Sequence, residues 1–184
     1  MRTNLNSLSN LNNFAKMFNP EKITANVINA LANRGEDIIN EAYESGNWFD
    51  DKGNLHDSFV SAVFIKGKIV DGTVRYVGEE ASYEGKRFNG QVLYGRDEAN
   101  RFLIDYENQL GEDSGITLVI GAAMFYGSIL EHNGYNVISH VSYMLDDIVN
   151  KGINVDTGMR TGAMIHIGGS VMRTNNVDEN WFEF

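Results

Sequence analysis

The apolar positions of the chain change period along its length, and each change marks a new element. Residues 1–18 set Leu5, Leu8, Leu11, Phe14, Met17 and Phe18 at roughly three-residue spacing in an Asn- and Ser-rich stretch. This predicts a short helix or arm, apolar on one side and too short to stand alone. A long helix follows. Asn19 can cap it, Pro20 suits the first helical position, and Glu21 faces the positive helix end. Ile23, Val27, Leu31, Ile38, Ala42 and Tyr43 then recur at helical spacing to about Ser45-Gly46, with Gly35 as a bend or a close packing point. Trp48 to Lys52 reads as a turn.

After this turn the period shortens. Phe59–Ile65 and Ile69–Tyr76 read as two strands joined at Lys66-Gly67, and residues 77–95 as an exposed loop or a hairpin extension. From Arg96 to Leu110 helical spacing returns, with Ala99, Phe102, Leu103, Tyr106 and Leu110 on one stripe. Asp97 and Glu98 favour its start and Gly111 its end. Ile116–Ile120, between Gly115 and Gly121, reads as a buried strand. A last helix starts near Ser139, lined by Val141, Met144, Leu145, Ile148 and Val149 and stopped by Gly152.

Beyond Gly152 the pattern gives way to Gly, Thr and Asn, ending on Trp181, Phe182 and Phe184. A polar tail with aromatic anchors is more easily ordered by a partner surface than by itself. The expected fold is α+β: a small, mostly antiparallel sheet packed with a long N-terminal helix and two further helices, plus an extended C-terminal tail. Residues 1–18 form the arm, 19–152 the domain, and 153–184 a tail for contacts between subunits.

Composition narrows the function classes. The 184 residues fit one domain, able to bury roughly 70% of its unfolded surface without staples. The chain has no cysteine, which excludes disulfides, thiolate metal sites and a Cys nucleophile. A net charge of −10, with fifteen scattered Lys and Arg, argues against gripping nucleic acid by its phosphates. Such a surface suits solubility before assembly, or a passage through which DNA slides without sticking. No apolar run reaches a membrane span and residues 1–18 lack signal-peptide order, so no membrane partner is expected.

The constellations that could carry chemistry are weak. His56-Asp57-Ser58 holds the residue types of a hydrolase triad, but neighbours on a strand point to opposite faces. The expected alternative is that Asn54, Asp57 or Ser58 caps a helical turn or satisfies the strand entry. His56, His132, His140 and His166 show no metal-ligand spacing. Gly158 to Gly162 and Gly168-Gly169 lack the ending of a phosphate loop. Glu79-Glu80 and Asp146-Asp147 are paired carboxylates in sequence only, since adjacent positions on a helix or strand are expected to diverge. No catalytic, cofactor or metal residue is assigned. Trp48 is expected to cover the turn, and Trp181, Phe182 and Phe184 to anchor an interface.

Two segments resemble a family. Trp48-Phe49-Asp50-Asp51-Lys52-Gly53-Asn54-Leu55-His56-Asp57-Ser58-Phe59 is similar to the "W…TGNLRxSI" stretch of phage head–tail joining proteins. Ile116–Gly121, then Ala122 to Glu131 and Gly134-Tyr135-Asn136-Val137-Ile138, resembles their strand leading into "AxxYAxxxExxGxxVI". The chain thus resembles, over about residues 20–151, the tail-completion (minor virion, tail-component) family, in a form similar to those of Bacteroidetes phages including the crAss-like group. Lys52 stands where Thr is frequent, and Gly127 follows Tyr126 where Ala is usual.

The resemblance makes Trp48, Gly53, Asn54, Leu55, Ser58, Tyr126 and Gly134 structural hallmark positions. It implies a non-enzymatic virion protein, assembled in the host cytoplasm as a ring at the head–tail junction. Its partners would be identical subunits and other neck, portal or tail proteins, with DNA only as passing cargo. Tail terminator or tail-tube protein is the alternative within that class; a small hydrolase or a soluble binding module is the alternative outside it. In the second hallmark, Tyr126, Ile129 and Leu130 are expected to cover the sheet. Glu131 is expected to project toward another subunit, with Tyr135 beside it as a further interface candidate.

Overall fold

The computed structural model describes residues 20–50, 52–82, 84–110, 115–145, 154–159 and 165–167. Helix α1 runs Pro20–Glu44 and helix α2 is one short turn, Asn54–Ser58. Strands β1 (Phe59–Ile65), β2 (Lys68–Ile69) and β3 (Arg75–Tyr76) follow, then β4 (Lys86–Phe88) and β5 (Gln91–Leu93). Helix α3 spans Gly95–Gln109, β6 Ile116–Ala122 and helix α4 Phe125–His132. A 3-10 helix covers Ser139–Leu145, and β7 (Asn154–Met159) and β8 (Ile165–Ile167) complete the order. The fold is α+β, as the change of period predicts.

The main sheet has the order β2-β1-β6-β7-β8, with β3 also paired to β1. Its centre is the antiparallel pair β1 and β6, in register from Phe59 opposite Ala122 to Ile65 opposite Ile116. Both faces of this pair are covered. Phe59, Val63, Leu118, Ile120 and Ala122 join Leu31, Ile38, Ile39 and Ala42 of α1 in one core. Val60, Ala62, Phe64 and Val119 meet Ala99, Phe102, Leu103 and Tyr106 of α3 in a second. A strand packed on both sides needs no polar alternation, which is why β1 reads as a nearly continuous apolar run.

Gly35 is the close packing point and α1 continues through it. A side-chain carbon there would lie 2.6 Å from Ser61 Oγ and 3.0 Å from Leu118 Cδ1. The strand expected over 69–76 is divided. Lys68–Ile69 and Arg75–Tyr76 pair with different parts of β1, and Thr73 fills the gap by accepting the Val63 N–H at 3.1 Å. Lys66 and Gly67 both take positive φ, 50° and 75°, as a type I′ hairpin turn requires.

Two expectations change at the C-terminal side. The 153–184 segment begins within the sheet, because β7 pairs in parallel with β6 from Thr117 opposite Asn154 to Ala122 opposite Met159. Sheet membership therefore extends past the expected domain boundary at Gly152. The last helix begins at Ser139 as expected, with Val141 and Leu145 buried, but in 3-10 form. The arm 1–18, Ile148, Val149, Trp181, Phe182 and Phe184 lie outside the described residues.

Candidate functional site

The two hallmark segments meet at one end of the β1–β6 pair, and local backbone chemistry explains how. Gly53 precedes α2 at φ 71°, a left-handed conformation that favours glycine. Asn54 is buried and bridges two distant segments. Its Nδ2 donates to Glu84 O at 2.8 Å, and its Oδ1 accepts from Gly95 N at 3.2 Å. Gly95 must be small here, because a side-chain carbon would sit 2.1 Å from Asn54 O and 2.8 Å from Asp57 Cβ. Leu55 is fully buried, and Ser58 Oγ donates to Leu55 O at 2.8 Å.

Asp57 is the polar centre of the first hallmark and has no exposed surface. Its Oδ1 accepts from Ala81 N and from His56 Nδ1, each at 2.8 Å. Its Oδ2 accepts from Ser82 N at 2.7 Å and from Ser82 Oγ at 2.5 Å. Burial pushes this carboxyl upward. The bonds from Ser82, Ala81 and His56 together outweigh burial and hold its pKa below the ordinary value. Adjacency thus does not keep His56 and Asp57 apart, since they lie on a helical turn and not on a strand. No side chain caps this turn, whose N-cap is Gly53: Ser58 bonds back to Leu55, while Asn54 and Asp57 reach distant segments instead.

An open cleft of about 510 Å³ lies beside this centre, lined by Tyr43, Asp50, Lys52, Gly53, His56 and neighbouring groups. Asp50 Oδ2 accepts the His56 N–H at 2.6 Å, and Lys52 pairs with Glu84 at 2.6 Å. The Lys52 hydrogen bond, then its charge, holds the Glu84 carboxyl below its usual range. Tyr43 packs edge-on to His56 at 4.7 Å and to Trp48 at 5.4 Å. Burial first, then the charges of Asp50 and Asp57, push its hydroxyl pKa up.

With Nδ1 donating to Asp57, Nε2 is left as the acceptor atom of the His56 ring, in a residue that lines the cleft. The serine hydroxyls in reach of a triad reading are engaged, Ser58 with Leu55 and Ser82 with Asp57. Among the described residues no group of three His, Asp or Glu side chains could hold a metal, and no helix is long and apolar enough to cross a membrane.

The second hallmark closes on the first. Helix α4 ends in a glycine cap: Gly134 lies at φ 82°, its N–H donates to Glu131 O at 3.1 Å, and Tyr135 N donates to Leu130 O at 3.0 Å. Trp48 Nε1 donates to Asn136 O at 3.1 Å, and Asn136 N donates to Asn47 Oδ1 at 2.8 Å. Trp48 also stacks on Phe59, 5.9 Å between centroids at 15°. It covers the turn, as expected. Tyr126 and Leu130 pack against the core, and Tyr126 meets Phe125 edge-on.

Glu131 is turned the other way from the expectation. Its Oε2 accepts from Val137 N at 2.7 Å and Ile138 N at 3.0 Å, while Oε1 accepts from Ser139 N at 3.2 Å and from the Ser139 hydroxyl. Four donors of its own chain hold it, so it organises the loop before the 3-10 helix and does not project from it. Ile129 is likewise corrected: it is 50% exposed and does not cover the sheet. Tyr135 remains exposed, as an interface candidate requires.

Sequence reasoning missed the β4–β5 hairpin as a distinct element. Asn89 and Gly90 sit at its turn with φ 48° and 78°. Asn-Gly between two short apolar-containing runs is the strongest local hairpin signal, and it was available. Phe88 of this hairpin stacks on Phe125 at 4.0 Å. Compared with protein-family models, curated proteins and solved structures, the chain matches none.

Proposed function

We propose that the chain is a structural, non-enzymatic subunit of a tailed-phage particle, forming a ring at the head–tail junction and joining portal-proximal to tail components. One observation carries the reading: the two segments that resemble the tail-completion family fold against each other as one unit. Trp48 bonds to Asn136, β1 pairs with β6 along its whole length, and the hallmark polar groups are spent on backbone bonds. A motif whose polar residues hold loops in place is what an assembly scaffold needs, and Asp57, Asn54 and Glu131 all act in that way here. The net charge of −10 suits a ring wall past which DNA slides.

Native mass spectrometry of the purified chain, with imaging of the particle that carries it, tests this. The expected result is a closed ring of identical copies located in the neck. A chain that stays monomeric and is missing from particles overturns the proposal. Location within the particle separates a tail-completion ring from a terminator or tail-tube ring.

The His56–Asp57 pair beside the cleft favours one reading of another class, hydrolysis by a water that His56 activates. Its test is His56→Ala: loss of a measurable hydrolytic activity with assembly intact supports it, and unchanged activity removes it.

A further inference from the structure

The surface beside the cleft carries a second, smaller groove of about 340 Å³, lined by Tyr43, Glu44, Trp48, Phe49 and Asp50. Three rings and two carboxylates make an unusual combination. Phe49 is 87% exposed, although Trp48 next to it is tied down by Phe59 and Asn136. Lys52, which lines the adjoining cleft, is already paired with Glu84. Asp50 and the buried Asp57 also act together on Tyr43, so the groove lies in a negative field. Aromatic faces flanked by carboxylates recognise a cation, above all a guanidinium, which can lie flat on a ring and still meet a carboxylate.

The same molecule presents a matching cation. In the β4–β5 hairpin Arg87 pairs with Val92, while Phe88 pairs with Gln91 and Lys86 with Leu93. Phe88 stacks on Phe125 and Leu93 packs against the core, so that face of the hairpin is used up. Arg87 and Val92 share the opposite face by strand alternation, and both are exposed. Among the described residues Arg87 has no ion pair. A rigidly backed hairpin thus shows solvent an arginine with an apolar neighbour.

We infer that the hairpin of one copy docks in the groove of the next, placing Arg87 against Tyr43, Glu44 and Phe49. This rests on the ring reading above and names the contact by which its copies join. Charge complementarity selects the occupant: in a chain of net charge −10, an outward arginine meeting a carboxylate-rimmed site turns repulsion between copies into local attraction. The contact is heterologous, hairpin to groove, and repeated around an axis it can close a ring.

Charge reversal tests it. Arg87→Glu and Glu44→Arg, each alone, are expected to weaken assembly at least tenfold, read by sedimentation velocity across a concentration series. Arg87→Glu and Glu44→Arg combined in one chain are expected to restore most of it, since each contact again joins opposite charges. Phe49→Ala is expected to weaken assembly with no change in the melting curve, which separates the contact from folding. Single variants that assemble like the natural chain overturn this contact and leave the ring reading standing. A natural chain that never assembles overturns both.

Discussion

The buried hallmark unit and the exposed groove and hairpin treat their polar groups in opposite ways. Around Asp57 and Asn54 the carboxylate and amide are buried, and each atom is matched to a donor or acceptor in the same chain. Around Phe49, Glu44, Arg87 and Val92 the side chains are exposed and largely unmatched within the chain. The first pattern is how a fold fixes loops, because an orphaned buried group costs more than a formed bond contributes. The second is how a surface keeps interaction capacity for another molecule. Changes in the first region should therefore register in stability, and changes in the second in association.

The largest effect is expected from removing residues 153–184. This strips β7 from β6 along six paired positions, and the loss is comparable with the whole stability of a domain, about 5–15 kcal/mol. Circular dichroism should show no cooperative melt. A truncated chain melting close to the full one would mean that β7 adds little, and that the segment serves contacts alone.

Gly95→Ala comes next. Its new carbon meets the Asn54 carbonyl oxygen at 2.1 Å, and backbone cannot step aside as a flexible side chain can. The expected cost is about 3 kcal/mol, the upper end for overpacking, read as a lower denaturation midpoint with unchanged slope.

Asp57→Asn is expected to cost about 2 kcal/mol, because one amide group now faces a backbone N–H with a donor of its own. It also tests a pH dependence. The folded carboxyl titrates below its ordinary value, so the unfolded chain takes up the proton first as pH falls. The stabilisation is complete above about pH 4, the usual carboxylate value, and is lost as pH falls through the folded value. The variant's acid-side unfolding curve should be flatter than the natural chain's; parallel curves would show that other carboxyls carry the acid transition.

Phe49→Ala and Arg87→Glu should have the smallest effect on stability, within about 0.5 kcal/mol. A large loss in either melting curve would erase the contrast, since it would place these side chains among the groups that hold the fold.

Much of this structure is written in the sequence because its causes are local. Pro20, the stripe from Val27 to Tyr43, the stripe from Ala99 to Tyr106 and the Lys66-Gly67 turn act within a few residues, and each element lies where its pattern puts it. The nearly continuous apolar run of β1, broken only by Ser61, also announces a strand covered on both faces. Tertiary structure alone decided the rest. Asn54 reaches partners 30 and 41 residues away, and Asp57 reaches a loop some 25 residues on, which no local period encodes. Glu131 looked outward because helical spacing cannot say that three backbone N–H groups of the following loop would turn back onto it. Asn154–Met159, with its Asp, Thr and Gly, reads poorly as a strand, and only the open edge of β6 makes it one.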